Sequence, residues 1–334
     1  MNSPGSSDSR PAGSDLDAAG GEVPPPSAGR IAFLGPEGTF TEQALLSQPD
    51  LAMMQLVPLL SIPEVLTAVA TGEVGHGFVG IENSIEGAVT VTVDTLAFQT
   101  DLLIQREVLS RVQLHLLAPS GVGLADVRRV LSFPVAAAQC RRFFQAEIPG
   151  VVQVATTSTV DAALQVAGDQ NDGHTAAVAP SVAGKLYGLD VLASDIEDHP
   201  DNTTRFVVVA REGIPRPTRH DKTSIVVFQR ADRPGSLLTI LQEFAARSIN
   251  LTKLESRPTK KGLGQYCFLI DLEGHIGEEL VADCLRDLKS KVADVKFLGS
   301  YPAAGEHGPA RRRDAEEAWR NADRWLADLR GQML

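Results

Sequence analysis

From residue 31 to residue 181 the chain repeats one local pattern: a short apolar run, a polar or glycine-bearing turn, then a helical segment opened by a hydroxyl or a proline. About six such repeats leave few architectures open and predict an α/β fold with mainly parallel strands. Ile31–Leu34 leads through Gly35-Pro36-Glu37-Gly38 to Thr39, Leu56–Leu60 leads to Ser61, and Gly77-Phe78-Val79 leads into Gly80-Ile81-Glu82-Asn83-Ser84-Ile85-Glu86-Gly87. Val130-Leu131-Ser132 before Pro134, Val151–Ala155 before Ser158, and Ala176–Ala179 before Pro180-Ser181 continue the series. Thr39, Ser61 and Ser158 each precede an acidic residue by three positions (Glu42, Glu64 and Asp161), the spacing of a helix-capping box. Ligands of open α/β sheets bind beyond the carboxyl ends of strands, so these polar loops are expected to converge on one pocket. The 80–87 loop, with its acid, amide and hydroxyl, is the richest of them.

Leu102–Leu109 and Val112–Leu117 read as extended runs that cross between two lobes. The expected architecture is therefore a two-lobed α/β unit with a cleft. Gly75-His76-Gly77-Phe78-Val79-Gly80 spells G-x-G-x-x-G, but it precedes a strand instead of joining a strand to a helix, which argues against dinucleotide binding. Thr39 is either a plain cap or a cap that also grips an anion with free N–H groups. Gln139 falls on a helix expected over 136–144. Asn202-Thr203-Thr204-Arg205-Phe206 enters the late strand Val207–Ala210. Neighbouring strand residues face opposite ways, so without a bulge only one of Thr204 and Arg205 points into the cleft. Thr204 is the expected one.

Pro215 and Pro217 mark a linker at 213–221, after which the pattern changes to βαββαβ, a ferredoxin-like order over 222–301. This unit has no paired nucleophile and base, and its free sheet edge suggests pairing with a second copy, giving a homodimer or homotetramer. Residues 1–29 carry almost no large apolar side chain and are expected to be disordered. In the 302–334 tail, Ala315, Trp319, Ala322, Leu326 and Leu329 recur at helical spacing and predict one amphipathic helix packed on this protein or a sister subunit.

A net charge of −11 over 334 residues offers no basic face for nucleic acid or anionic lipid. No segment is apolar enough to span a bilayer and no signal sequence is evident, so a cytoplasmic protein is expected. Cys140, Cys267 and Cys284 read as core thiols, and the histidines lack ligand spacing, so no metal is expected.

Four motifs go beyond pattern. Leu34-Gly35-Pro36-Glu37-Gly38-Thr39-Phe40, Ile81–Gly87, Asn202–Phe206 and Glu255-Ser256-Arg257-Pro258, in that order, closely resemble prephenate dehydratase over residues 31–300. The resemblance implies a two-lobed, periplasmic-binding-protein-like α/β catalytic domain with a cleft over 30–212, a ferredoxin-like ACT regulatory domain over 222–301, and no cofactor. The family reaction removes water and carbon dioxide from prephenate to give phenylpyruvate, on the route to L-phenylalanine. It implies that Thr204 is the residue most closely tied to catalysis, as an oriented donor to the departing hydroxyl. Glu82, in an otherwise neutral loop, is the expected proton source. Asn83, Ser84 and Gln139 are expected to orient the ring, Thr39, Ser132 and Thr159 to hold carboxylates, and Arg205, if it reaches the cleft, to serve the pyruvyl side chain. Phenylalanine feedback maps to Gly235-Ser236-Leu237 and Glu255-Ser256-Arg257-Pro258, with Asn250 positioned for the effector's amino group. Two further readings remain open: arogenate dehydratase, the same chemistry on an aminated substrate, and a non-catalytic amino-acid sensor.

Overall fold

The computed structural model describes residues 29–168, 173–229, 233–260, 262, 265–305, 321–322 and 324–332. The first lobe is built from β1 (Arg30–Leu34), α1 (Phe40–Leu46), α2 (Pro49–Ala52), β2 (Gln55–Leu59), α3 (Ile62–Thr71), β3 (His76–Asn83), β4 (Gly87–Ala88), α4 (Thr90–Phe98) and β5 (Leu103–Arg111). The chain then crosses to the second lobe: β6 (His115–Ala118), β7 (Arg129–Ser132), α5 (Pro134–Ala138), α6 (Arg141–Glu147), β8 (Val152–Ala155), α7 (Thr159–Ala167), β9 (Thr175–Ala179), α8 (Ser181–Tyr187) and β10 (Asp190–Ala193). It returns through β11 (Thr203–Ala210), which inserts between β3 and β5 in the order β2-β1-β3-β11-β5, while the second lobe's sheet runs β10-β6-β9-β7-β8. Two crossings thus join two lobes; the two-lobed arrangement and the first crossing are as expected. All three expected caps form: Thr39, Ser61 and Ser158 accept from the N–H groups of Glu42, Glu64 and Asp161.

Neither sheet is mainly parallel. The β1/β2, β1/β3, β7/β8 and β7/β9 pairs are parallel, but β11 runs antiparallel to both neighbours and β6 runs antiparallel to β9 and β10. The strands at the lobe crossings arrive from the far end, so they cannot continue the parallel order.

After 211–220, which carry no helix or strand, the third unit follows as β12 (Asp221–Gln229), α9 (Ser236–Ala245), β13 (Leu251–Pro258), β14 (Tyr266–Glu273), α10 (Glu279–Asp287) and β15 (Ala293–Pro302). Its sheet order is β13-β14-β12-β15, antiparallel throughout, as the βαββαβ reading requires. One face of this sheet packs on its own helices through Ile225, Val227, Ile240, Phe244 and Val281. The other face shares a core with the first lobe, where Val226, Leu269 and Leu298 meet Val65, Leu96 and Ile104. The two units are therefore fused along a sheet face, with the linker pinned beside them by Gln105 on the Gly213 carbonyl (2.5 Å) and His275 Nε2 on the Pro215 carbonyl (2.9 Å).

The expected N-terminal tail, Ala315 and Trp319 lie outside the described residues. Residues 321–322 and 324–330 are helical, and Trp325, Leu326 and Leu329 are all exposed. No helix among the described residues is long and apolar enough to cross a membrane.

Gly299 marks a close approach of backbones in the fusion. Its φ is +143°, and a Cβ there would lie 2.4 Å from the Ile104 carbonyl oxygen on β5. Backbone cannot yield as a side-chain tip can, so Gly299→Ala is expected to destabilise the protein by about 2–3 kcal/mol by overpacking. Denaturant unfolding would check this, the loss being largest in a probe of the interdomain seam.

Candidate active site

The polar cluster forms where β3 and β11 run side by side. Thr204 lies opposite Asn83 and Arg205 opposite Glu82, but Phe206 lies opposite Gly80, leaving Ile81 as one extra residue on β3. This bulge re-aims the strand end. Ile81, like Val79, is buried in the core shared with the third unit; strict alternation would send Asn83 the same way and Glu82 the other. Instead Asn83 joins Thr204 on the opposite face, and Glu82 joins Arg205 on the side of the third unit. The bulge's carbonyls are used locally: Gly80 accepts from the Thr92 hydroxyl at 2.6 Å and Ile81 from the Val89 N–H at 3.0 Å.

The amide orientations follow from obligatory partners. Asn83 Oδ1 accepts backbone N–H groups of Ile85 (2.9 Å) and Glu86 (3.0 Å), so its Nδ2 faces Thr204 Oγ1 at 2.9 Å and Asn202 Oδ1 at 2.8 Å. Asn202, 2% exposed, then turns its Nδ2 to Gln139 Oε1 at 3.0 Å, and Gln139 Nε2 reaches Glu86 at 3.4 Å. A one-way amide relay thus crosses from the first lobe to the second and back. It leaves the Thr204 hydroxyl accepting from Asn83, with its own proton available to another acceptor.

Gln139 does not sit inside a helix as expected. It is the residue at which α5 stops before α6, and its carbonyl instead accepts from the Asp198 N–H at 2.5 Å. Ser84 holds the strand junction, its Oγ accepting from Thr203 N at 3.0 Å. Thr39 is a plain cap: its hydroxyl donates to the Leu34 carbonyl at 3.3 Å and accepts from Glu42 N, while the Glu42 carboxylate takes the Gly38 N–H at 2.5 Å. An anion already occupies that helix start. Ser132 is 2% exposed and donates to the Phe133 carbonyl at 3.2 Å, so it is a buried turn residue. Thr159 is half-buried at the first turn of α7. The lobes also meet where Gly38 lies against Ala183 and Leu186 of α8.

Arg205 does not reach the cleft. Its guanidinium is buried against the third unit, with Nε on Glu107 (2.6 Å), one terminal nitrogen on Asp271 (2.5 Å) and Glu82 (3.3 Å), and the other on the Tyr301 hydroxyl (2.8 Å). Strand alternation is the reason, since its neighbour Thr204 holds the opposite face. Glu82 is likewise claimed by two cations, Arg205 and Lys253 (3.3 Å), so its loop is not neutral and its carboxylate serves as an ion-pair partner. These two contacts replace the expected proton-source and side-chain-binding roles.

The sequence model for prephenate dehydratase matches residues 31–214, and that for the ACT domain matches residues 223–290. The chain belongs to the prephenate dehydratase family. A prephenate dehydratase of Mycobacterium marinum is 42% identical over 294 residues, covering 84% of this chain and 92% of its own. A solved prephenate dehydratase from Arthrobacter aurescens in complex with L-Phe is 38% identical with a TM-score of 0.82, covering 90% of this chain and 99% of its own. A solved protein described as a novel type of quorum quenching acylase, GqqA, is 31% identical with a TM-score of 0.73, covering 85% of this chain and 99% of its own.

In this dehydratase-family chain the ACT unit carries an open pocket of about 490 Å³, lined by Gly235, Ser236, Leu237 and Ser256 with Tyr266 and Phe268. Two motifs far apart in sequence therefore meet there. Glu255 and Arg257, on the alternate face of β13, do not line it: Arg257 pairs with Asp94 of α4 at 2.9 Å and with Glu255 at 3.3 Å. Nor does Asn250, whose amide bonds Glu273 at 3.0 Å, or Pro258, which pairs with Tyr266 in the ladder.

Sequence reasoning missed Asn202, Glu107, Asp271 and Tyr301. Asn202 stood inside a recognised motif and could have been chosen as a short amide beside Thr204. The other three lie in ordinary strand pattern, with no local signal. Burial pushes the Asp271 carboxyl up, but the charge of Arg205 and hydrogen bonds from Ser224 and Arg205 outweigh it and hold it below the usual carboxylate range. A depressed folded-state pKa contributes stability above the unfolded value, about 3.9, that is lost as pH falls through the folded one. Asp271→Asn is therefore expected to cost about 3 kcal/mol at pH 7, with the gap to wild type closing below about pH 4. Denaturation midpoints at neutral and acid pH would show it.

Proposed function

We propose that the Thr204–Asn83–Asn202–Gln139 cluster is where this prephenate dehydratase removes water and carbon dioxide from prephenate to give phenylpyruvate. One observation carries the assignment. Asn83 donates to the Thr204 hydroxyl, so that hydroxyl's proton is directed elsewhere, as a donor to a departing oxygen requires. As carbon dioxide leaves the ring, electrons move through the diene and hydroxide leaves from the opposite ring carbon. Aromatisation supplies the driving force, and the protein's task is to stabilise charge on the leaving oxygen. Thr204 donates to that oxygen, Asn83 holds Thr204 in place, and Gln139 orients the ring from the second lobe. Neutral donors suit the ring carboxylate, because a strong cation there would favour the reactant over a transition state that is losing the charge. That Arg205 is committed elsewhere agrees with this.

Ser236, Leu237 and Ser256 supply a setting for L-phenylalanine in the ACT pocket: apolar walls from Leu237, Tyr266 and Phe268 for the ring, hydroxyls for the polar end. The Arthrobacter aurescens structure with L-Phe supports an amino-acid effector here. β13 is the edge of the ACT sheet, which favours pairing of two copies there.

Purified protein is expected to convert prephenate to phenylpyruvate, with L-phenylalanine inhibiting. Thr204→Ala should lower kcat about 10²-fold or more, the cost of one oriented donor. Asn202→Ala, which removes only the support of the amide relay, should cost about tenfold, or 1.4 kcal/mol. Turnover of arogenate alone would change the substrate and keep the site. Binding of L-phenylalanine without turnover of either would make the protein a sensor, and acylase activity in its place would align it with the GqqA-like neighbour.

A further inference from the structure

β13 has two working faces. Its residues alternate between half-buried and exposed along Leu251–Pro258, and Ser256 lines the ACT pocket while Lys253, Glu255 and Arg257 turn toward the catalytic lobe. The strand that borders the pocket therefore also grips the catalytic lobe by direct ion pairs. Lys253 pairs with Glu82, the residue before Asn83, and Arg257 pairs with Asp94 on α4, the helix that follows the 80–87 loop. The loop that carries Asn83 is thus held on both sides by one strand.

Lys253 is the unusual member. Its side chain is 9% exposed, and its ammonium lies 3.3 Å from Glu82 and 3.5 Å from Glu255. It is buried yet makes no hydrogen bond to either. A buried ammonium at this distance from two carboxylates gains by shortening its contact with either of them. One carboxylate belongs to the catalytic loop, and the other precedes Ser256.

Resting on the functional reading above, we infer that Lys253 is the positioning residue through which the ACT pocket acts on catalysis, by partitioning between Glu82 and Glu255. Closed on Glu82, it holds β3 at the bulge and so holds Asn83 on the Thr204 hydroxyl. Drawn to Glu255 when an amino acid orders β13 at Ser256, it leaves Glu82 to Arg205 alone, and Asn83 loses its support from behind. Both sites then bias one two-position contact, which is what coupling between them requires.

The test uses the full chain in four forms: wild type, Lys253→Met, Glu82→Gln and the double variant. L-phenylalanine affinity is measured by calorimetry, and inhibition by the ratio of prephenate turnover without effector to turnover at saturating effector. Each single variant is expected to bind L-phenylalanine within about threefold of wild type while its inhibition ratio falls about fivefold or more. The double variant should lose no more than either single one, and Lys253→Arg should restore most of the ratio. Lys253→Met that binds L-phenylalanine and remains inhibited like wild type would overturn the inference, as would additive losses in the double variant. Should Lys253→Met fail to fold, Glu82→Gln decides alone, since its side chain is about a third exposed; undiminished inhibition there overturns the proposal equally. Failure of the functional reading is seen separately and earlier, as wild-type protein that turns over no prephenate or binds no L-phenylalanine.

Discussion

A closed circuit of hydrogen bonds around Arg205 holds the catalytic and ACT units in one arrangement. One guanidinium nitrogen donates to Tyr301, and another to Asp271. Asp271 can only accept, so Ser224 donates to it at 2.5 Å, and the Tyr301 hydroxyl, which burial keeps neutral, donates to Ser224 at 2.6 Å. Every polar group of the ring is spoken for. Around it, Arg205, Lys222 and Lys253 face Glu82, Glu107 and Asp271, three cations against three carboxylates. Desolvating one guanidinium costs several kcal/mol, and it is tolerable here only because charge and hydrogen bonds are matched so completely.

The circuit has its consequence for chemistry because it sits one residue from the reacting groups. Thr204 and Arg205 are neighbours on β11, and Asn83 and Glu82 are neighbours on β3; in both pairs one member faces the cleft and the other the seam. A two-residue step of strand is among the stiffest links a protein offers, because neighbouring side chains share one peptide plane. The bulge at Ile81 makes the second pair possible. With a regular β3, the amide that supports Thr204 would face the seam and the acid that meets Arg205 would face the core of α1.

These relations explain which parts were legible in the sequence. Capped helices after Thr39, Ser61 and Ser158, the first crossing between lobes and the βαββαβ unit all follow from local pattern, and each formed. That Thr204 and Arg205 diverge was legible too, since it needs only strand alternation. The bulge was not, because Gly80-Ile81-Glu82 carries no residue that demands one; its carbonyls are taken by Thr92 and Val89, later in the chain. The fates of Glu82 and Arg205 were hidden for a related reason. Their partners, Asp271, Tyr301 and Lys253, come from a unit whose docking face reads in sequence as an ordinary half-buried sheet. Gln139 shows the converse case: its helical neighbourhood was legible, but the break that frees its carbonyl for Asp198 depends on a contact from the returning chain.

A seam of this kind could have been wholly apolar, and an apolar seam of similar shape is often the more stable choice. What apolar contact lacks is direction, since Leu on Val tolerates a slide of an ångström at little cost. Charged groups held in a fully satisfied ring do not slide; a small shift leaves a donor or a carboxylate uncompensated in a poor dielectric. The apolar part of the seam, Val226, Leu269 and Leu298 on Val65 and Ile104, therefore supplies adhesion, and the Arg205 circuit supplies registration. Registration is what a regulatory unit needs if a displacement of its sheet is to be passed on instead of absorbed. Within this rigid frame only Lys253 is left with two carboxylates and a hydrogen bond to neither, so motion of β13 acts at that contact before it can disturb the ring.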